Sequence, residues 1–249
     1  MEQQIENKKT IEVCFTPILY PYKLIKKDFV VIIVDVLRAT TTICTAFQNG
    51  AKAIIPIANV EDIIKYKNNG FIIAGERDGI KLENADLGNS PFNFTKEIVA
   101  DKTIVITTTN GTQAIEMAKD ADSIVIGSFL NLNAIGNWIT EQNKNVIILC
   151  AGWKNKFNLE DTLFAGALVE YLSDSLNFNL NLSCDSAVAA LDLWTIAKED
   201  LLDYVEKTSH RHRLKRMVLD DVIEYCFTPN VSEVIPAYID GKLIDISEK

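Results

Sequence analysis

Hydrophobic residues in this chain gather into short runs, many of them β-branched, set apart by segments of helical period. Phe29–Val34 (Phe-Val-Val-Ile-Ile-Val) is apolar at every position. Ile11–Phe15, Ala53–Pro56, Phe71–Ala74, Lys102–Thr107, Ser123–Gly127 and Asn145–Cys150 follow the same style. Strands that are apolar at nearly every position are covered on both faces, which places them in a sheet between helical layers. Between the runs, helices are predicted over Thr40–Asn49, closed by Gly50, and over Val60–Asn68, Thr112–Ala118, Leu132–Gln142 and Asp161–Ser173. The alternation predicts an α/β fold: three layers, α/β/α, around a largely buried mixed or parallel sheet.

The last third changes character. Ser186–Leu193, Lys198–Val205 and Arg211–Tyr225 read as consecutive helices, expected to cap one face of the sheet. Val234–Tyr238 and Leu243–Ile246 read as a terminal hairpin around Asp240-Gly241. Val30–Ala46 and Val146–Ala167 share one order of apolar strand, polar turn and helix start. The echo marks 1–140 and 141–249 as candidate subdomains around one cleft, although two ordinary βα units explain it equally well. The 249 residues otherwise read as a single domain.

Composition narrows the class. With 48% apolar and 24% charged residues the chain has the balance of a globular protein. A net charge of −9 argues against a general nucleic-acid binder, which needs Lys and Arg grouped on one face. The one dense basic stretch, His210-Arg-His-Arg-Leu-Lys-Arg216, reads as a solvated helix face or, through Arg213, as an anion-binding edge. Five widely spaced cysteines with no C-x-x-C pair suit reduced thiols. The first residues carry no signal-peptide pattern, and the longest apolar run, six residues, is far short of a membrane span. A cytoplasmic protein away from membranes is expected, with a homodimer as an open alternative to a monomer.

In open α/β sheets ligands bind beyond the carboxyl ends of the strands, and there the polar residues cluster. Asp35-Val-Leu-Arg38-Ala-Thr40-Thr41-Thr42 joins a hard-cation ligand, a guanidinium fork and a helix start whose free N–H groups favour an anion. Gly75-Glu76-Arg77-Asp78-Gly79 opens a long charged connection running to Asn89-Ser90-Pro91. Thr107-Thr-Thr109-Asn110-Gly111-Thr112 is a strand-to-helix junction able to cradle an oxyanion. Cys150-Ala-Gly152-Trp153-Lys154 leads to the adjacent acids Glu160 and Asp161 at another helix start. Each cluster has a plainer reading as caps and surface salt bridges.

The motifs Asp35-Val-Leu-Arg-Ala-Thr-Thr-Thr, Gly75-Glu-Arg-Asp-Gly-Ile-Lys-Leu-Glu, Asp86-Leu-Gly-Asn-Ser-Pro-Phe, Thr107-Thr-Thr-Asn-Gly-Thr, Cys150-Ala-Gly-Trp-Lys and Leu159-Glu-Asp-Thr-Leu-Phe-Ala-Gly, in that order, resemble the 2-phosphosulfolactate phosphatase family. The resemblance runs from Val31 to Gly166 and more loosely through Ser209, Arg213-Leu214, Asp221 and Cys226; His210 stands where the family pattern has a Gly. It implies a Mg²⁺-dependent hydrolase that removes phosphate from (2R)-2-phospho-3-sulfolactate, a step on the route to coenzyme M in methanogens. It also implies an α/β/α fold unlike the common phosphatases.

The combined expectation is as follows. Catalysis falls to Asp35, Arg38, Glu76, Arg77 and Asp161. Substrate contacts fall to Thr40, Thr41, Asn89, Ser90, Thr109, Asn110, Gly111, Gly152 and Lys154. Mg²⁺ is held by Asp35 with Glu160 or Asp161. No D-x-D, R-H-G or cysteine-loop signature is present, so a metal-activated water is the expected nucleophile and Asp35 itself the alternative. The rival functions are a phosphatase for another phosphorylated hydroxy acid, and a silent sensor of a phosphorylated metabolite.

Overall fold

A computed structural model describes residues 8–182 and 184–247. Among them, eleven strands form one sheet. In chain order they are β1 (Lys9–Cys14), β2 (Phe29–Val34), β3 (Ala53–Pro56), β4 (Ile72–Arg77), β5 (Ile80–Lys81), β6 (Thr103–Thr107), β7 (Ser123–Gly127), β8 (Asn145–Cys150), β9 (Leu180–Asn181), β10 (Pro236–Ile239) and β11 (Lys242–Asp245). The helices are α1 (Ala39–Gln48), α2 (Ile63–Asn68), α3 (Lys96–Val99), α4 (Gly111–Met117), α5 (Leu132–Gln142), α6 (Leu159–Asp174), α7 (Asp185–Ala197), α8 (Leu201–Glu206), α9 (Ser209–Arg216) and α10 (Ile223–Cys226).

The all-apolar β2 explains the layering. Its alternate residues point to opposite faces. Val30, Ile32 and Val34 join a core with Leu163, Phe164 and Ala190, from α6 and α7. Val31 and Ile33 join a second core with Ile43 and Phe47 of α1 and Ile115 of α4. All six residues are buried, because both faces carry helices. The fold is the α/β/α sandwich that the run pattern predicts.

Strand order is β5-β4-β6-β3-β11-β10-β7-β2-β8-β1-β9. β4, β6 and β3 are mutually parallel, as are β7, β2, β8 and β1. The hairpin β10–β11 lies between these blocks and pairs antiparallel with β7 on one side and β3 on the other. Three successive antiparallel pairings reverse the sense, so the two parallel blocks run in opposite directions. The hairpin read from the sequence is therefore the central seam of the sheet, while helices α7 to α10 supply the cover over one face.

One predicted helix is two. Arg211–Tyr225 breaks after Arg216, where Val218 takes a φ of 55°, and the chain resumes as α10. A β-branched residue in the left-handed region is costly, so the break is held by its surroundings: Leu219 N–H donates to Leu214 O, and Arg211 Nη1–H to Asp220 across the turn.

Candidate active site

The carboxyl ends of strands from both blocks reach one narrow cleft. Asp35, Leu37 and Arg38 follow β2; Glu76 is the last residue but one of β4, with Asp78 and Gly79 beyond its end; Asn110 follows β6 and Trp153 follows β8. Contact between the blocks is direct. A Cβ on Gly111 would lie 2.8 Å from the Ala39 Cβ and 3.1 Å from Asp35 Oδ2, so the start of α4 packs against the Asp35 turn only because residue 111 lacks a side chain.

The Asp35 turn is held from within. Its own N–H donates to Thr40 Oγ1 at 3.1 Å, Thr41 Oγ1 donates to Val36 O at 2.9 Å, and Ala39 N–H approaches Asp35 Oδ1 at 3.4 Å. Thr40 and Thr41 thus spend their hydroxyls on the scaffold and do not line the cleft. Asp35 is 5% exposed, and burial with Glu76 and Glu160 nearby pushes its carboxyl up to about 6, against the lowering field of His210. Arg38 is 4% exposed and makes no ion pair among the described residues. Burial lowers its pKa, and Cys226, Glu76 and Asp35 push the other way. A buried unpaired guanidinium facing a cleft is a site prepared for an anion.

Glu76 ties the second block together. Its carboxylate accepts from Gly79 N–H at 2.6 Å, Thr109 N–H at 2.7 Å and Thr109 Oγ1 at 3.1 Å. Thr109 therefore braces the Glu76 loop. Arg77 turns away: it donates to Glu76 O, Ala58 O and Thr107 Oγ1, and is not among the lining residues. Strand alternation is the reason, since neighbours on β4 leave opposite faces. Lys154 is likewise engaged, by Nζ with Asp78 at 2.6 Å and by its N–H with Asn110 Oδ1 at 3.0 Å. Asn89 lines the cleft with a sealed, unpartnered Oδ1; Ser90 sits behind it at the start of a 3₁₀ turn.

The two adjacent acids part company. Asp161 is fully buried beneath the Asp35 turn, accepting from Val36 N–H at 2.9 Å and Gly152 N–H at 3.1 Å. Burial, then the charges of Asp35 and Glu160, hold its carboxyl well above the ordinary range. Glu160 Oε1 meets His210 Nδ1 at 2.5 Å, and its Oε2 is sealed with no partner. Neither acid lines the cleft. Gly152, at φ 60°, lets the chain turn where a Cβ would fall 2.3 Å from Lys156 O.

The wall that the pattern reading left unassigned comes from α9. His210, Arg213, Leu214 and Met217 face the cleft at helical spacing, with the Arg213 guanidinium carbon 3.6 Å over the Trp153 ring. The signal for it was the i, i+3, i+4, i+7 placement of these four residues. Of the two readings of the basic stretch, the structure puts Arg213 at the cleft and leaves His212, Lys215 and Arg216 exposed.

No group of three or more His, Cys, Asp and Glu side chains arranged to hold a metal occurs among the described residues. Mg²⁺ nonetheless needs only one or two carboxylates when water and substrate oxygens complete its shell. Asp35 lines the cleft, and its Oδ2 accepts no hydrogen bond from the described residues, which is the donor chemistry such an ion takes; the orphaned Oε2 of Glu160 is buried behind the cleft wall.

The family model for 2-phosphosulpholactate phosphatase matches residues 14–241. The chain belongs to that family. A probable 2-phosphosulfolactate phosphatase of Thermotoga maritima is 38% identical over 213 residues, covering 86% of this chain and 90% of the relative. Another, of Caldanaerobacter subterraneus subsp. tengcongensis, is 36% identical over 219 residues, with 86% and 90% covered. One of Clostridium novyi is 35% identical over 215 residues, with 85% and 90% covered. Family membership makes this a phosphatase, a phosphoric monoester hydrolase, and the matched span holds every cleft residue named above. Among the described residues no helix is long and apolar enough to cross a membrane.

Proposed function

We propose that this protein hydrolyses 2-phospho-3-sulfolactate to 3-sulfolactate and phosphate in the Asp35 cleft, with Mg²⁺ as cofactor. The observation that carries the reading is the buried, unpaired Arg38 beside the buried Asp35. A cation and a metal-seeking carboxylate side by side match a phosphoryl group and its counter-ion.

Arg38 takes phosphoryl oxygens in its planar fork, which positions the phosphorus over Asp35. Asp35 would hold Mg²⁺, with water and substrate oxygens completing its shell. When bound, Mg²⁺ neutralises charge on the phosphoryl oxygens and activates the attacking water. His210, its Nδ1 engaged by Glu160, has Nε2 without a partner among the described residues and free for the departing ester oxygen. Asp78–Lys154 and Trp153 close the rim.

The test is phosphate release from a panel of phosphorylated hydroxy acids, with Mg²⁺ and with a chelator. Turnover of phosphosulfolactate that needs Mg²⁺ is expected. Turnover of none, with thermal stabilisation by one, would establish a sensor instead. Rapid quench separates the nucleophiles: a phosphoenzyme carried by Asp35 would replace water with the carboxylate.

A further inference from the structure

The groups that would meet a phosphoester are shut in. Asp35, Arg38, Asn89 and His210 are each more than nine-tenths buried. Asn89 Oδ1 and Arg213 Nη2 are sealed from solvent with no hydrogen-bond partner. Sealed polar atoms without partners destabilise the state that holds them, and access to water relieves them. A phosphoester is far larger than a water molecule, so part of the wall must move before one can reach Arg38.

The turn between β8 and α6 has the form of a movable part. Trp153 and Lys156 exchange backbone hydrogen bonds of 2.9 Å, closing a two-residue hairpin that keeps its own shape. Residues 154–157 are exposed, so little packing holds the turn down. Its tip crosses the mouth to the opposite strand block, where Lys154 Nζ meets Asp78 at 2.6 Å and Lys154 N–H donates to Asn110 Oδ1 at 3.0 Å. On the cleft side Trp153 covers the opening, 3.6 Å from the Arg213 guanidinium carbon and with its ring 5.5 Å from that of His210.

The closed position works against its own backbone. Lys154 and Asn155 take φ values of 51° and 61°, a left-handed conformation that a lysine seldom adopts. Asn158, at the N-cap of α6, makes no capping bond, and its Oδ1 is sealed without a partner. The Asp78–Lys154 pair opposes these terms from a half-exposed position, where ion pairs are weak and screened by salt. Small opposing terms of this kind let a minor conformation be populated beside the major one.

We propose that the hairpin Trp153–Lys156 is a gate over the cleft. Closed, it is latched by Lys154 to Asp78 and Asn110; open, it swings out as a unit to admit substrate and release products. What passes through the gate rests on the phosphatase reading above, whereas the motion itself does not.

Amide exchange followed residue by residue by NMR reads the motion without substrate. The Lys154 amide, whose bond crosses the mouth, should exchange faster than those of Trp153 and Lys156, whose bonds stay inside the hairpin. Asp78→Asn should speed the Lys154 amide about 2- to 5-fold, the worth of an exposed ion pair, and leave the other two unchanged. A Lys154 amide no faster than its neighbours, or one indifferent to Asp78→Asn, overturns the gate. Equal acceleration of all three also overturns it, because the hairpin would then melt instead of swinging. A tether tests passage. In protein carrying Asp78→Cys and Lys154→Cys, with Cys184→Ser to remove the half-buried thiol, bismaleimidoethane should bridge the mouth. Turnover of 2-phospho-3-sulfolactate should fall by about tenfold or more relative to the same protein capped with N-ethylmaleimide. Equal turnover of the bridged and capped forms rejects gating. If the wild type turns over no phosphoester, the phosphatase reading fails. In that case, or if capping alone abolishes turnover, the amide rates decide the gate.

Discussion

Asp35 shows how one residue's burial becomes a measurable pH effect. Its carboxyl rises from the ordinary 3.8 to about 6, with burial the largest cause. A folded-state pKa above the unfolded one means that the folded protein holds this proton more tightly. Its contribution to stability is full below about pH 3.8 and is lost as pH rises through about 6. Asp35→Asn in metal-free protein should therefore be more stable than wild type at pH 8 by about 3 kcal/mol, seen as a higher Tm, and lose the advantage near pH 4. Thermal melts at the two values check it; a lower Tm for the variant at pH 8 would refute the burial argument. The same substitution should lower kcat by about 10²-fold or more, since it removes a carboxylate that the proposed chemistry uses as metal ligand or nucleophile. Arg38→Lys should cost about 10-fold or more in kcat/KM while leaving Tm within a few degrees, because an ammonium keeps the charge but loses the fork.

At the scale of elements, two glycines divide packing from catalysis. Gly152 has a φ of 60° and no room against the Lys156 carbonyl, both backbone constraints. Gly152→Ala should cost about 3 kcal/mol in urea unfolding, because backbone cannot move aside cheaply. Gly111 instead borders Ala39 and the Asp35 carboxylate, and its φ is unexceptional. Gly111→Ala should spare stability more than Gly152→Ala yet lower kcat, because the added methyl moves the Asp35 turn rather than the core. Steady-state kinetics beside unfolding curves tell the two apart. Helix α9 carries the complementary lesson. His210, Arg213 and Leu214 of α9, with Met217 just past its end, recur at helical spacing, but only packing decided that this stripe faces a cleft instead of solvent.

For the molecule as a whole, the seam of the sheet is its terminal hairpin. Leu243, fully buried, pairs with Ile54 where β11 meets β3, and Ala237 pairs with Val125 where β10 meets β7. Leu243→Ala should destabilise by about 3 kcal/mol, and should loosen the join between the two parallel blocks as much as the core itself. Hydrogen exchange would then accelerate in β3 and β7 together; acceleration confined to β11 would mean that the blocks hold without the seam. Local pattern carried much of this protein. The runs around Phe29–Val34 and Asn145–Cys150 dictated buried strands, because apolar side chains on both faces of a strand admit no solvent-facing side. The motif from Asp35 to Arg38 marked the candidate site, because ligand types and a helix start coincided within a few residues, and both residues line the cleft. Tertiary structure alone decided that β10 and β11 enter the sheet's middle, that Arg77 turns away while Arg213 turns in, and that Glu160 serves His210 while Asp161 braces the Asp35 turn. Those outcomes depend on contacts between residues more than a hundred positions apart in some cases and on which face of an element meets its neighbour, and neither is written in local spacing.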